Sequence, residues 1–316
     1  MRGWLVCVVL MALPALSGAH ADGDKLRAWK VAAVAVLSAR GDANSIATAA
    51  MLSPAGGPEL AARASELAPE SAPLAWVRLR LCATTPACDF RDAATAMRWL
   101  DPDNPAAWLP TLGAAQKERD SVEVERILYD MSQGKHIDVY AIPVAVLMFD
   151  ELKAVAASLP RSFAENDASR LALVIGIANA RLIPSFATVD EVCRESAAAT
   201  ERREACLKIA RKMQRGDTVN GELAGLAVEK HTLPPDSKEA HALSDRRHVL
   251  EWQTAAAAHF DTPLLPWVRN SHARWHLARM RALHREQDVV VAILREQGTP
   301  LSPPEPPGPP SGPSPR

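Results

Sequence analysis

LDPDNPAAW, residues 100–108, is the stretch on which the fold turns. Leu100 closes one helical pattern, and Pro102 stops it because proline cannot continue the backbone hydrogen bonding. Asn104 is a helix-capping residue, Pro105 is preorganised for a first helical position, and Trp108 follows one turn in. The nonapeptide is therefore expected to join two helical hairpins. The rival reading, a cation held by Asp101, Asp103 and Asn104, needs more oxygen ligands at defined intervals and a glycine turn, and neither follows.

A looser copy, LAPESAPLAW, occupies residues 67–76. Trp76, Trp108 and Tyr140 are spaced by 32 residues each and Leu67 and Leu100 by 33, a period typical of stacked helical hairpins. Each aromatic is expected to open a first helix and to pack between repeats. Trp108, Leu112 and Ala115 fall on one helical face, and Val124, Ile127, Leu128 and Met131 on another. Between them Asp120 and Glu123 have the spacing of a capping box.

At Asn104-Pro105-Ala106-Ala107-Trp108, followed by Leu112-Gly113 and preceded by Leu100-Asp101-Pro102, the chain resembles the tetratricopeptide repeat family. The resemblance covers roughly residues 25–160. One extra residue separates Trp108 from Leu112-Gly113, and Glu125 stands near the place of the family's small residue. The chain is also similar to alanine-rich exported proteins of Gram-negative bacteria. The resemblance implies an α-solenoid that binds a protein or peptide and has no chemistry of its own.

The two ends differ from the middle. Arg2, the apolar run Trp4–Leu16 and Ala19-His20-Ala21 have the order of a secretory signal peptide, so residues 1–21 are expected to be removed. Its loss takes Arg2 and moves the formal charge from −1 to −2, which gives no electrostatic footprint for nucleic acid. It also takes Cys7 and leaves Cys82, Cys88, Cys193 and Cys206, an even set in a chain bound for an oxidising compartment. Of three possible connectivities the local one is expected, Cys82–Cys88 with Cys193–Cys206. At the other end residues 300–316 hold nine prolines in seventeen positions, the composition of a disordered or polyproline II tail.

Residues 22–299 are patterned as helix after helix, with few aromatic and glycine residues. Residues 22–160 form the repeat-like region. Lys25–Arg40, Gly41-Asp42 and Ala43–Leu52 make a helix, a turn with a left-handed glycine and a capped second helix. Residues 161–299 are less regular and are expected to continue the array. Asp167–Ile183 reads as a buried helix, with Asn179 and Arg181 arguing against a membrane span. Thr188–Glu191 and Asp236–Glu239 have capping-box spacing, and Arg215-Gly216-Asp217 should end one helix and begin the next.

No nucleophile elbow, metalloprotease helix, phosphate loop or dinucleotide fingerprint occurs. His272 and His276, four apart on one helical face, are the nearest candidate metal pair, though a third ligand is not given and a solvated face accounts for them better. The surrounding helix, residues 269–285, has arginines and no acid, so it suits either an anionic membrane surface or ordinary docking on the core. The seven tryptophans left after the leader are expected to pack between hairpins. The sequence thus points to an exported all-α module of stacked antiparallel hairpins, binding a protein or peptide without catalysis or cofactor. An envelope enzyme or its accessory, and a membrane-surface protein, are the alternatives.

Overall fold

The computed structural model describes residues 15–53, 56–86, 88–160, 164–195, 200–258 and 266–304. Among them every regular element is a helix. The first half comprises α1 (Ala15–Arg40), α2 (Ala43–Leu52), α3 (Gly57–Leu67), α4 (Ala72–Ala83), α5 (Phe90–Leu100), α6 (Leu109–Glu118) and α7 (Ser121–Gln133). The second comprises α8 (Ala141–Ala154), α9 (Asp167–Leu182), α10 (Ala187–Glu195), α11 (Thr200–Gln214), α12 (Val219–His231), α13 (Lys238–Ala258), α14 (Pro266–Ala282) and α15 (Glu286–Glu296). Residues 1–14 of the expected leader lie outside the described residues, and α1 runs through the expected junction after Ala21. Residues 305–316 of the tail also lie outside them. Its beginning is docked: Leu301 packs on the core, and the Gln253 side-chain amide donates to its carbonyl at 2.7 Å.

Local signals explain the hairpins of the first half. Gly41 takes φ 79°, where a side chain would be strained, and Asp42 caps α2 by accepting the Ser45 amide at 2.9 Å. In α2 every residue from Ser45 to Leu52 is buried, because its alanines let α1, α3 and α8 approach on several sides. The apolar stripe of α7 is in place, with Ile127, Leu128 and Met131 fully buried. Asp120 caps that helix through the Glu123 amide at 3.0 Å, but the Glu123 carboxylate turns to Arg126 instead of completing the box.

The three aromatics of the 32-residue spacing occupy different positions. Trp76 lies inside α4 and is fully buried. Trp108 ends a 3-10 turn, Pro105–Trp108, and precedes α6, so it does not sit one turn into an α-helix. Asn104 caps that turn through the Ala106 amide at 3.1 Å. Tyr140 precedes α8 in the left-handed region at φ 52°. The caps of the second half also differ from expectation. Ala187 already belongs to α10, so Thr188 is inside the helix; Thr218, not Asp217, caps α12 through Gly221; and Ser237, not Asp236, accepts the Ala240 amide at the start of α13.

In a one-dimensional stack each unit touches only its sequence neighbours. Here α8 packs against α2, α9 against α4, α10 against α6 and α11 against α7, so the second half lies alongside the first. Basic side chains join the halves by capping helix C-termini across the boundary, where unpaired carbonyls and the helix dipole favour a cation. Arg181 of α9 donates to Ala50 O at 3.2 Å and Ser53 O at 2.7 Å at the end of α2. In return Arg80 of α4 donates to Leu182 O at 3.1 Å, and the Trp76 indole N–H reaches the same oxygen at 3.3 Å. Lys212 of α11 donates to the Met131 and Ser132 carbonyls at the end of α7. Burial depresses all three cations, Arg80 to about 10. The helix spanning 167–182 is therefore tied into the core despite belonging to a stretch, Asp167–Arg194, long and apolar enough to cross a membrane.

Both local disulfides form. Cys82–Cys88 closes six residues between α4 and α5, and Cys193–Cys206 closes thirteen between α10 and α11. Cys193–Cys206 joins two buried positions, whereas Cys82 is buried and Cys88 half-buried.

Candidate functional site

Four inter-helix connectors meet: 101–104, 134–140, 215–218 and 283–285. Two glycines permit the approach. A Cβ on Gly134 would lie 2.5 Å from Pro105 Cδ, and one on Gly216 2.6 Å from Ile137 O. Asn104 binds Asp138 in both directions, Nδ2 donating to its carbonyl at 2.8 Å and Oδ1 accepting its amide at 3.2 Å. Asp103 pairs with Lys135 at 2.8 Å. Asp101 accepts the Tyr140 hydroxyl and sits 3.1 Å from His136 Nε2, which lies 3.7 Å from Asp138. The carboxylates that suggested a cation are thus engaged by a phenol, a lysine and a histidine. Among the described residues no group of three or more His, Cys, Asp or Glu is placed to hold a metal.

Asp217 forms the floor of this cluster. Its carboxylate accepts the Val139 amide at 3.0 Å and the Tyr140 amide at 2.8 Å, placing an acid at the N-terminus of α8. That bond holds Tyr140 in its left-handed conformation, which costs about 1 kcal/mol for a residue with a side chain. Burial pushes Asp217 up to about 7; the Val139 and Tyr140 amides pull it down and Asp138 pushes it further up. Burial likewise raises Asp138, with His136 opposing, and raises Tyr140, aided by Asp101. His136 bridges two carboxyls, and its neighbours are consumed in holding connectors together. The sequence signal for this cluster was the 32-residue spacing, which sets residues 101–104 ahead of Trp108 and 134–139 ahead of Tyr140, although the two aromatics take different positions.

A second feature is an aromatic and guanidinium stack at α5–α7. The Arg98 guanidinium lies 4.1 Å from the Trp108 ring centroid and that of Arg126 5.1 Å, and both α5 and α7 pack on the 3-10 turn carrying Trp108. Arg126 is fixed by Glu123 and Asp130 at 2.7 Å. On the same helices, α5 and α7, Trp99 is 83% exposed, Val122 79% and Tyr129 63%. Trp99 therefore departs from the expectation that the tryptophans are packed, whereas Trp29 and Trp76 are buried.

The third feature is an open cavity of about 230 Å³ lined by α8, α9, α13, α14 and α15. Its walls are mainly apolar, including Ala145, Ala178, Ala257, Val290 and Ile293, with His276 and Glu286 among its few polar neighbours. His272 and His276 both lie on α14, but only His276 borders the cavity. Several arginines of the basic helix are committed: Arg281 pairs with Asp150, Arg279 covers the Trp275 ring and Arg285 donates to Gly216 O at 3.1 Å.

Comparison with known proteins returns no matching family model, no matching curated protein and no matching solved structure.

Proposed function

We propose that the chain is an exported, non-catalytic binding module for a protein or peptide, working in the periplasm or outside the cell after removal of residues 1–21. The observation that carries this reading is the exposure of Trp99, next in sequence to Arg98 of the Arg98–Trp108–Arg126 stack. Tryptophan, tyrosine and arginine dominate the energetics of protein interfaces, and a tryptophan left in water costs solubility unless something covers it. The stack supports Trp99 and Tyr129 on rigid helices, which lowers the ordering cost of binding. Two disulfides agree with an oxidising compartment. The stacked-hairpin reading applies to α1–α7, and the working face lies on the outside of that half, since α8–α11 pack alongside it.

A photo-crosslinking residue at position 99, with one at the exposed Lys238 as control, tests this in intact cells. One discrete adduct at 99, absent at 238 and lost with Arg126→Ala, is expected. Equal labelling at both positions would remove the proposal.

A further inference from the structure

The cavity among α8, α9, α13, α14 and α15 is separate from the aromatic face and plays no part in that reading. Well-packed cores hold few voids larger than a water, and an engineered apolar cavity of about 150 Å³ stays dry and takes benzene. The space here is about 230 Å³, room for roughly six to ten non-hydrogen atoms by that comparison. Ala141, Ala145, Ala178 and Ala257 supply much of its wall, and it is the shortness of these side chains that leaves the space open. The exposed Asn179 and Ala258 also border it and mark where it reaches solvent.

Its polar lining is Asn179, Thr254, His276 and Glu286, and Glu286 is the acidic group among them. Glu286, at the first turn of α15, has one carboxylate oxygen held by the Val219 amide at 2.8 Å. No protein donor to its other oxygen is present among the described residues. A carboxylate beside an apolar space favours a ligand that donates a hydrogen bond and repels one that carries a negative charge.

We propose that this cavity binds a small apolar molecule of about six to ten non-hydrogen atoms ending in a hydroxyl or amine, with Glu286 accepting from the head group. Carboxylates of the same size are rejected by Glu286. The alkyl or aryl body lies against Ile175, Val290 and Ile293.

The test uses the full chain with methyl-labelled isoleucine and valine, titrated by NMR with hexan-1-ol, hexylamine and hexanoate. The alcohol and the amine are expected to shift the Ile175, Val290 and Ile293 methyls, with hexanoate at least about tenfold weaker. Ala178→Phe, or Ala257→Leu should the first fail to fold, fills the space and is expected to abolish the shifts while circular dichroism stays unchanged. Glu286→Gln keeps an acceptor for the Val219 amide and is expected to bring hexanoate to within about threefold of hexanol. No shift at these methyls, shifts that survive filling, or rejection of hexanoate that persists in Glu286→Gln would overturn the proposal.

Discussion

The first half of the chain, α1–α7, and the second, α8–α15, reach the same helical end by different means. In α1–α7 consecutive helices pack in chain order, and turns such as Gly41-Asp42 are stabilised by residues three or four positions away. In α8–α15 the decisive bonds are remote. Arg181 reaches Ser53 across 128 positions and Asp217 reaches Val139 across 78. The halves interlock because each supplies cations to the other's helix C-termini, at α2, α7 and α9; within the second half Asp217 serves the N-terminus of α8. A solenoid gains stability unit by unit, whereas reciprocal capping makes both halves one cooperative structure.

The largest break in that interlock is expected from Trp76→Ala. It removes a fully buried indole and the donor to Leu182 O, and should cost about 4 kcal/mol by urea denaturation. Trp76→Phe should cost clearly less. The two bridges give the next effect: replacing Cys193 and Cys206 by serine should cost about 3 kcal/mol, and replacing Cys82 and Cys88 about 2 kcal/mol, because the closed segment is shorter. Equal losses would show that native-state packing outweighs loop entropy. Arg181→Met keeps the packing stem but strips the Ala50 and Ser53 carbonyls of their donor, for an expected loss of about 2 kcal/mol.

A smaller effect comes from Asp217. Its folded value of about 7 stands above the ordinary 3.8, so the folded chain retains a proton that the unfolded chain releases. The resulting stabilisation is complete below about pH 4 and is lost as pH rises through about 7. Asp217→Asn removes this titration while keeping an acceptor for the amides. Between pH 6 and 8 the native chain should therefore lose on the order of 1–2 kcal/mol relative to the variant, read from urea midpoints at both pH values. Trp99→Ala should change stability least, within about 0.5 kcal/mol, because the side chain is in water.

The sequence made the elements of the first half legible because their determinants are local. Gly41-Asp42 marked its turn, the α7 stripe its buried face, and the spacing of Cys82–Cys88 and Cys193–Cys206 their pairing. LDPDNPAAW was legible as a joint, while the 3-10 form of Pro105–Trp108 was not, since both helix types place Asn104 and Pro105 alike. Asp217 shows the limit more sharply. An aspartate after glycine is a sound local cap, and only the approach of residues 139–140 redirects it. Tyr140 kept the repeat spacing but became a left-handed junction, with its hydroxyl on Asp101. Trp99 was hidden for a similar reason: adjacent to the buried face of α5, it differs from a core tryptophan only in which way the helix turns.

Hydrogen exchange of the native chain against Arg181→Met tests the interlock of the halves most directly. Faster exchange is expected in both α2 and α9, together with α4, since losing one reciprocal cap loosens the helices on both sides of the boundary. Exchange that quickens only in the last turn of α2, with α9 and α4 protected as before, would contradict it.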